Sequence, residues 1–420
     1  MRFLIVFASI VLAVLAVPVQ WSTMEVINKT THARLSSGCS FRINGDLGQP
    51  QPVYLLENNF LRASGNTGQI NLRVDQQIRV SCPGNRNSIR HTNVASPVQT
   101  ATATCVSNNE VSGAGWLSKN SDFGGLTCSA NAAHQAQATG RRCFNNNIVI
   151  RVGFTVDDVF HIWYHSCFDE KRLEVLYVWY NQDATNAVSQ NNVPRPNFTG
   201  GGFFPGVNIN SVYTKAQQKK AVAKIVGQYM ADRYMTNNQY FAQGHLAAKS
   251  DFIFATGQRS TFYLINAAPQ WQQFNAGNWK TLEQNLRARI GNAGYTTIIY
   301  TGTFGVTQLR DAQGQLRDIF LHQSGNTSQV PVPQFYYKVV YDASRRLGTA
   351  FVGINNPYYT AAEVRTLQFC TDRCRNNNAF SWLNWQPDRI DLGYSFCCTI
   401  ADFRRNITHI PNFNTIDLLT

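Results

Sequence analysis

Two textures of apolar and polar residues divide the chain. From about Val17 to Cys143, short alternating runs such as QINLRVDQQIRVSC (69–82) lie in a background rich in Ser, Thr, Asn, Gln and Gly. That period-two pattern predicts strands with one buried face. Beyond Cys143 the apolar runs lengthen. NIVIRVGFTV (147–156) predicts a strand, and VFHIWYHSCFDEKRLEVLYVWYN (159–181) a hairpin turning at Asp169 to Arg172. TFYLIN (261–266), TTIIYTGTFGV (296–306), QFYYKVVYD (334–342) and LGTAFVGI (347–354) predict further strands, with a helix over GNWKTLEQNLRARI (277–290). TKAQQKKAVAKIVGQYMADRYM (214–235) predicts one helix. Its Lys215, Lys219, Lys220 and Lys224 would form one side, opposite Ala221, Val222, Ile225 and Met230, either a solvated face or a phosphate-contact surface. The second half therefore reads as α+β with a mainly antiparallel sheet. No repeat of 20 to 50 residues is visible.

The first residues, MRFLIVFASIVLAVLAVPVQ, carry one basic residue, an apolar run and small residues near Ala16. This is the layout of a signal peptide over 1–16, which implies a secreted, extracellular, non-membrane protein. A β-rich domain would then occupy 17–145 and a second domain 146–420. Ten cysteines in an exported chain read as a disulfide set. Cys370, Cys374, Cys397 and Cys398 could be drawn as a zinc site, but disulfides suit this compartment better. Sequons at Asn28, Asn197, Asn326 and Asn406 agree with a glycoprotein on a secretory route. With 37 Lys+Arg against 24 Asp+Glu the formal net charge is +13. Such a balance points to polyanionic partners such as nucleic acid, glycans or anionic lipid, with solubility as the bland alternative.

Histidines carry the next step. His161 and His165 share a strand face but lie roughly 13 Å apart there, too far to hold one ion together. His245 follows Gly244 in a short strand-like segment, where an imidazole could act as a base or simply be structural. Asn275 precedes a helix that would carry Trp279, Glu283 and Arg287 along one edge, at steps of four. Alone, Asn275 could be a helix cap, and Glu283 with Arg287 an ordinary pair.

Taken together, GHLAAKSDF (244–252), NAAPQ (266–270) and FNAGNWKTLEQNLR (274–287) resemble, in order and spacing, the DNA/RNA non-specific endonucleases. These are the ββα-metal (His-Me finger) nucleases, and the resemblance is nearest to secreted nucleases of insect gut and saliva. It covers roughly 150–420. It implies a ββα-metal nuclease domain preceded by a small disulfide-tied β-rich domain. It also implies His245 as general base and Asn275 as the direct ligand of Mg2+ (or Mn2+). Asn266 and Gln270 would organise the site, Glu283 would hold water on the ion, and Arg287 would contact phosphate. Arg195, in NNVPRPNFTGGGFF, is the implied upstream phosphate-binding arginine.

One departure matters. The family pattern is Asp-Arg-Gly-His, and here Ala242, Gln243, Gly244 and His245 stand in its place. Losing one preorganised donor beside the scissile phosphate typically costs about 3 kcal/mol, although Gln243 can still donate a neutral hydrogen bond. The leading expectation is a Mg2+-dependent endonuclease that acts on DNA and RNA, double-stranded and independent of sequence. The second is a nucleic-acid-binding protein of the same fold with little turnover. A basic protein that binds glycans or host haemostatic factors is third, supported by charge alone.

Overall fold

The computed structural model describes residues 38–420, so the leader expected at 1–16 and the Asn28 sequon lie outside the described residues. The alternating runs of the first part build a six-stranded antiparallel sheet. Its order is Asn59–Phe60, Val53–Leu56, Gln77–Ser81, Thr100–Ser107, Glu110–Ser112 and Ser121–Asp122. Cys39–Arg42 pairs separately with Gln69–Leu72. Inward residues pack ring on ring, Phe41 against Phe123 at 4.4 Å and Tyr54 against Phe123 at 5.0 Å between centroids. Disulfides Cys39–Cys105 and Cys82–Cys128 tie this layer.

The longer apolar runs form an eight-stranded antiparallel sheet. In order its strands are Gln135–Arg142, Ile148–Val156, Val159–Asp169, Glu174–Asp183, Thr296–Phe304, Phe335–Asp342, Leu347–Ile354 and Ser395–Thr399. It starts at Gln135, upstream of the 145/146 division expected from the sequence. The predicted hairpin is present, its turn held by Asp169 Oδ1 accepting from the Lys171 and Arg172 amides at 2.9 Å each. One sheet face carries Val152, Tyr164, Val178, Ile299 and Val340 into the largest core, shared with the helices. The other face, through Tyr337, Val352 and Phe396, is covered by the helix Ile400–Asn406 and the residues after it. Cys370–Cys398 and Cys374–Cys397 are disulfides, as is Cys143–Cys167, so the zinc alternative fails because those thiols are consumed. His161 Nδ1 donates to the Asn58 carbonyl at 3.0 Å and His165 stacks on Trp179 at 4.8 Å, both structural roles.

Two sequence expectations are corrected. TFYLIN is not a strand: Leu264–Asn266 is a 3-10 turn, and the strand is Ala267–Trp271. The lysine helix is two helices, Lys215–Val226 and Gln228–Tyr234, broken at Gly227, whose φ of 87° is left-handed. Its buried face is Gln218, Val222 and Val226. At 3.6 residues per turn Lys215 and Lys219 are about 40° apart, with Lys220 and Lys224 about 140° or more round from Lys215. The four lysines therefore flank the helix in two pairs rather than lining one side.

Between the large sheet and this helix sits a small hairpin, Phe241–His245 paired with Ala267–Trp271, followed by the helical stretch from Gln272 to Ala293. This is the ββα unit. Tyr336 Oη, from the large sheet, donates to the Ala268 carbonyl at 2.7 Å. On the opposite strand Gln218 donates to the Phe241 carbonyl at 2.7 Å and accepts from the Phe241 amide at 2.9 Å. Gly244 is required by close approach, since a Cβ there would stand 2.3 Å from Gln270 Oε1 and 2.9 Å from Tyr336 Oη. Downstream, Ile253 and Phe254 enter the core of the first β layer, and Phe254 meets Tyr54 at 5.7 Å. Residues 38–420 thus form one compact unit.

Gln218→Met keeps the volume but orphans two buried backbone groups of Phe241. At about 1–3 kcal/mol for each unsatisfied group, urea unfolding should show a loss of several kcal/mol. A loss under about 1 kcal/mol would mean water replaces the amide.

Candidate active site

The hairpin, the helix after it and the segment 195–198 enclose a cavity of about 950 Å³. Arg195, Gln243, His245, Asn275, Glu283 and Arg287 all line it, although up to 92 positions separate them in sequence order from 195 to 287. Gln243 and His245 share one face of their strand because side chains repeat every two residues. Asn275 neither precedes the helix nor takes the alternative of capping it. It lies in a π-helical turn, Asn275–Trp279, kinked at Gly277 and continuous with helices on both sides. Such an inserted residue re-aims neighbouring side chains and is common at functional sites. The Asn275 carboxamide makes no hydrogen bond to another described residue. Asn278, by contrast, is buried and locked to the carbonyls of Gln386 and Gly393.

His245 is buried, its ring against Phe198 at 4.8 Å and Phe262 at 4.9 Å. Its Nε2 has no hydrogen-bond partner among the described residues. Burial, and then the positive charges of Arg195 and Lys249, hold its pKa down to about 3. The imidazole is therefore neutral at ordinary pH, as a proton acceptor must be. Arg195 lies over the Phe262 ring at 5.2 Å, and Lys249 donates to the Val193 carbonyl at 2.6 Å.

Glu283 and Arg287 sit one turn apart on the helix, over a buried ionic floor. Arg287 Nη1 pairs with Asp251 Oδ1 at 2.8 Å, and Tyr180 Oη donates to Asp251 Oδ2 at 2.5 Å. Lys338, also buried, donates to Thr301 Oγ1 at 2.7 Å, and burial lowers its pKa against the pull of Asp251 and Glu283. Burial raises the Glu283 carboxyl to about 7, with Lys338 opposing and Asp251 reinforcing the shift. The Glu283 carboxyl and the uncommitted amide oxygen of Asn275 line the same cavity, and both are oxygen donors of the kind a hard divalent cation takes. Asn275 and Glu283 thus fit such an ion. Around the cavity Arg195, Lys249, Lys280 and Arg287 face Glu283 as the single acidic residue of the lining.

Other expected residues fall elsewhere. Asn266 is fully buried and does not line the cavity. Its side chain accepts from the Ala247 amide and donates to the Ala247 and Thr261 carbonyls, bracing the loop after His245. It is a positioning residue. Gln270 is fully buried behind Gly244 with both amide atoms unpartnered, so it cannot touch nucleic acid. Trp279 is buried rather than lining the edge. Lys215, Lys219, Lys220 and Lys224 lie outside this cavity. Four residues not assigned from the sequence belong here: Lys249 and Lys280 in the lining, and beneath it Asp251 and the buried Lys338.

Asp251→Asn leaves the partly buried Arg287 without its countercharge. Breaking a buried pair costs about 3–5 kcal/mol, so thermal or urea unfolding should show a large loss; a wild-type melting curve would contradict the pairing.

The family described as DNA/RNA non-specific endonuclease matches residues 145–403, more than half of the chain. The chain is 25% identical over 371 residues to a salivary endonuclease of Lutzomyia longipalpis, covering 86% of this chain and 81% of that protein. It is 24% identical over 386 residues to salivary protein Tsal2A of Glossina morsitans morsitans, covering 89% and 92%. A chain from the crystal structure of the EndoG/EndoGI complex aligns at 22% identity with TM-score 0.32, covering 47% of this chain and 74% of that one. Among the described residues no helix is long and apolar enough to cross a membrane. With its ββα unit and the residue match over most of its length, the chain belongs to the DNA/RNA non-specific endonuclease family.

Proposed function

We propose that the cavity hydrolyses phosphodiester bonds of DNA and RNA without reading sequence, with His245 as general base and a divalent cation, Mg2+ or Mn2+, held at Asn275. The observation that carries this reading is a buried imidazole in a cavity lined by four cationic side chains. In this reading residues 17–145 are an accessory β module, residues 146–420 the nuclease portion, and the protein acts outside the cell.

His245 takes a proton from the attacking water as its oxygen bonds to phosphorus and the bond to the 3′ oxygen breaks. The expected products are a 5′-phosphate and a 3′-hydroxyl. Arg195 and Lys249 hold the phosphate on the histidine side, and Arg287, anchored by Asp251, presents its remaining donors from the helix. Phe198 and Phe262 keep bulk water from the imidazole. When bound, a divalent cation supplies positive charge where negative charge develops on the phosphate and leaving oxygen. Asn275 and Glu283 are the residues to hold it.

A second reading, binding with little turnover, is favoured by one observation. Gln243 brings no charge to the cavity beside His245, and Arg287 is shared with Asp251. The two readings part in one assay. Purified protein is incubated with plasmid and double-stranded RNA, with Mg2+ or EDTA, and both retention and cleavage are followed. Mg2+-dependent cleavage that disappears in His245→Ala while retention persists supports hydrolysis. Retention without cleavage at stoichiometric protein would overturn it. Gln243→Arg should raise cleavage, by up to about 10²-fold, and an unchanged rate would mean another cation already fills that role.

A further inference from the structure

Tyr240 lines the active-site cavity and also a second cavity of about 500 Å³, bounded by Lys215, Lys219, Asp232 and Asn237. The two depressions therefore adjoin. Lys215 Nζ stands 4.0 Å from the centre of the Tyr240 ring and donates to the Asn237 carbonyl at 3.1 Å. No carboxylate neutralises it among the described residues. Lys219 Nζ lies 2.7 Å from Asp232 Oδ1, and Gln228 donates to that same oxygen at 2.8 Å. On the other flank of the helix, Lys220 and Lys224 border a cavity of about 780 Å³ that shares no lining residue with the active-site cavity.

We propose that the Lys215 and Lys219 flank, and not the Lys220 and Lys224 flank, binds the backbone of the nucleic-acid strand where it leaves the active-site cavity. This rests on reading that cavity as a nucleic-acid site. A polymer held at one phosphate must run out of the pocket, and its next phosphates meet whatever lines the exit. Past Tyr240 the exit offers one free ammonium and one that a phosphate can take over from Asp232. The aromatic ring beneath Lys215 holds that ammonium without cancelling its charge. Such contacts carry no sequence information and add to affinity through released counterions. Asp232 then acts as a built-in competitor that weakens binding.

The test uses the whole protein in EDTA, a labelled DNA duplex longer than the cavity, and affinity measured across a salt series. Lys215→Gln with Lys219→Gln removes the same charge as Lys220→Gln with Lys224→Gln, so general electrostatics affects both alike. The first pair should bind about tenfold or more weakly at moderate salt, with a salt slope shallower by about two. The second pair should stay close to wild type. Asp232→Asn should tighten binding severalfold. Thermal unfolding of each variant checks that the fold is kept. Equal losses from the two pairs, no loss from the first, or weaker binding by Asp232→Asn would overturn the proposal. Wild-type protein that binds no duplex would instead overturn the nucleic-acid reading of the cavity itself.

Discussion

Asp251 is a carboxylate with almost no access to water, and the site is built around satisfying it. Its two oxygens take Arg287 and Tyr180, and its backbone carbonyl takes the Asn186 side chain. These partners come from the active-site helix, the large sheet and the segment after it. An ion pair this deep contributes little net stability, because desolvation offsets the attraction. Its consequence is geometric: the helix can dock on the sheet only in the position that gives Asp251 a countercharge. That docking sets where Glu283 and Asn275 meet the cavity.

The same burial decides the chemistry of the groups above it. In a medium of low polarity an imidazole sheds its proton and a carboxyl keeps one. Burial moves His245 down and Glu283 up; Arg195 and Lys249 add to the first shift, while Lys338 and Arg287 oppose the second. The result is a pair of groups displaced in opposite directions within one cavity. Two aromatic rings complete the effect at His245. Asn266 and Gln218 do not touch the cavity, yet they hold both ends of the histidine strand.

Much of this was legible in the sequence where local pattern and structure agree. The hairpin at 159–183, the strands at 296–304, 335–342 and 347–354 and the helix over Glu283 and Arg287 follow from periodicity. Motif order brought His245, Asn275 and Glu283 together. What escaped was what depends on packing. TFYLIN alternates like a strand but must turn to deliver Asn266 under the loop at 247. The lysines of 215–224 look like one stripe until the helical angle separates them. Asp251 and Lys338 were in plain view as letters, but their burial is set by partners far away in the chain.

The proposed role of His245, a base that is neutral at working pH, can be tested directly at its ring. In metal-free protein, ring nitrogen and carbon NMR shifts of His245 should show no protonation from neutral pH down to about pH 4, given a pKa near 3 against an ordinary 6.5. The sign of the linked stability follows. The unfolded chain binds the proton more readily, so this residue makes the fold less stable as pH falls from 6.5 towards 3. A ring that titrates with a midpoint close to 6.5 would contradict the account, because the pocket would then be neither dry nor cationic enough to preset the base.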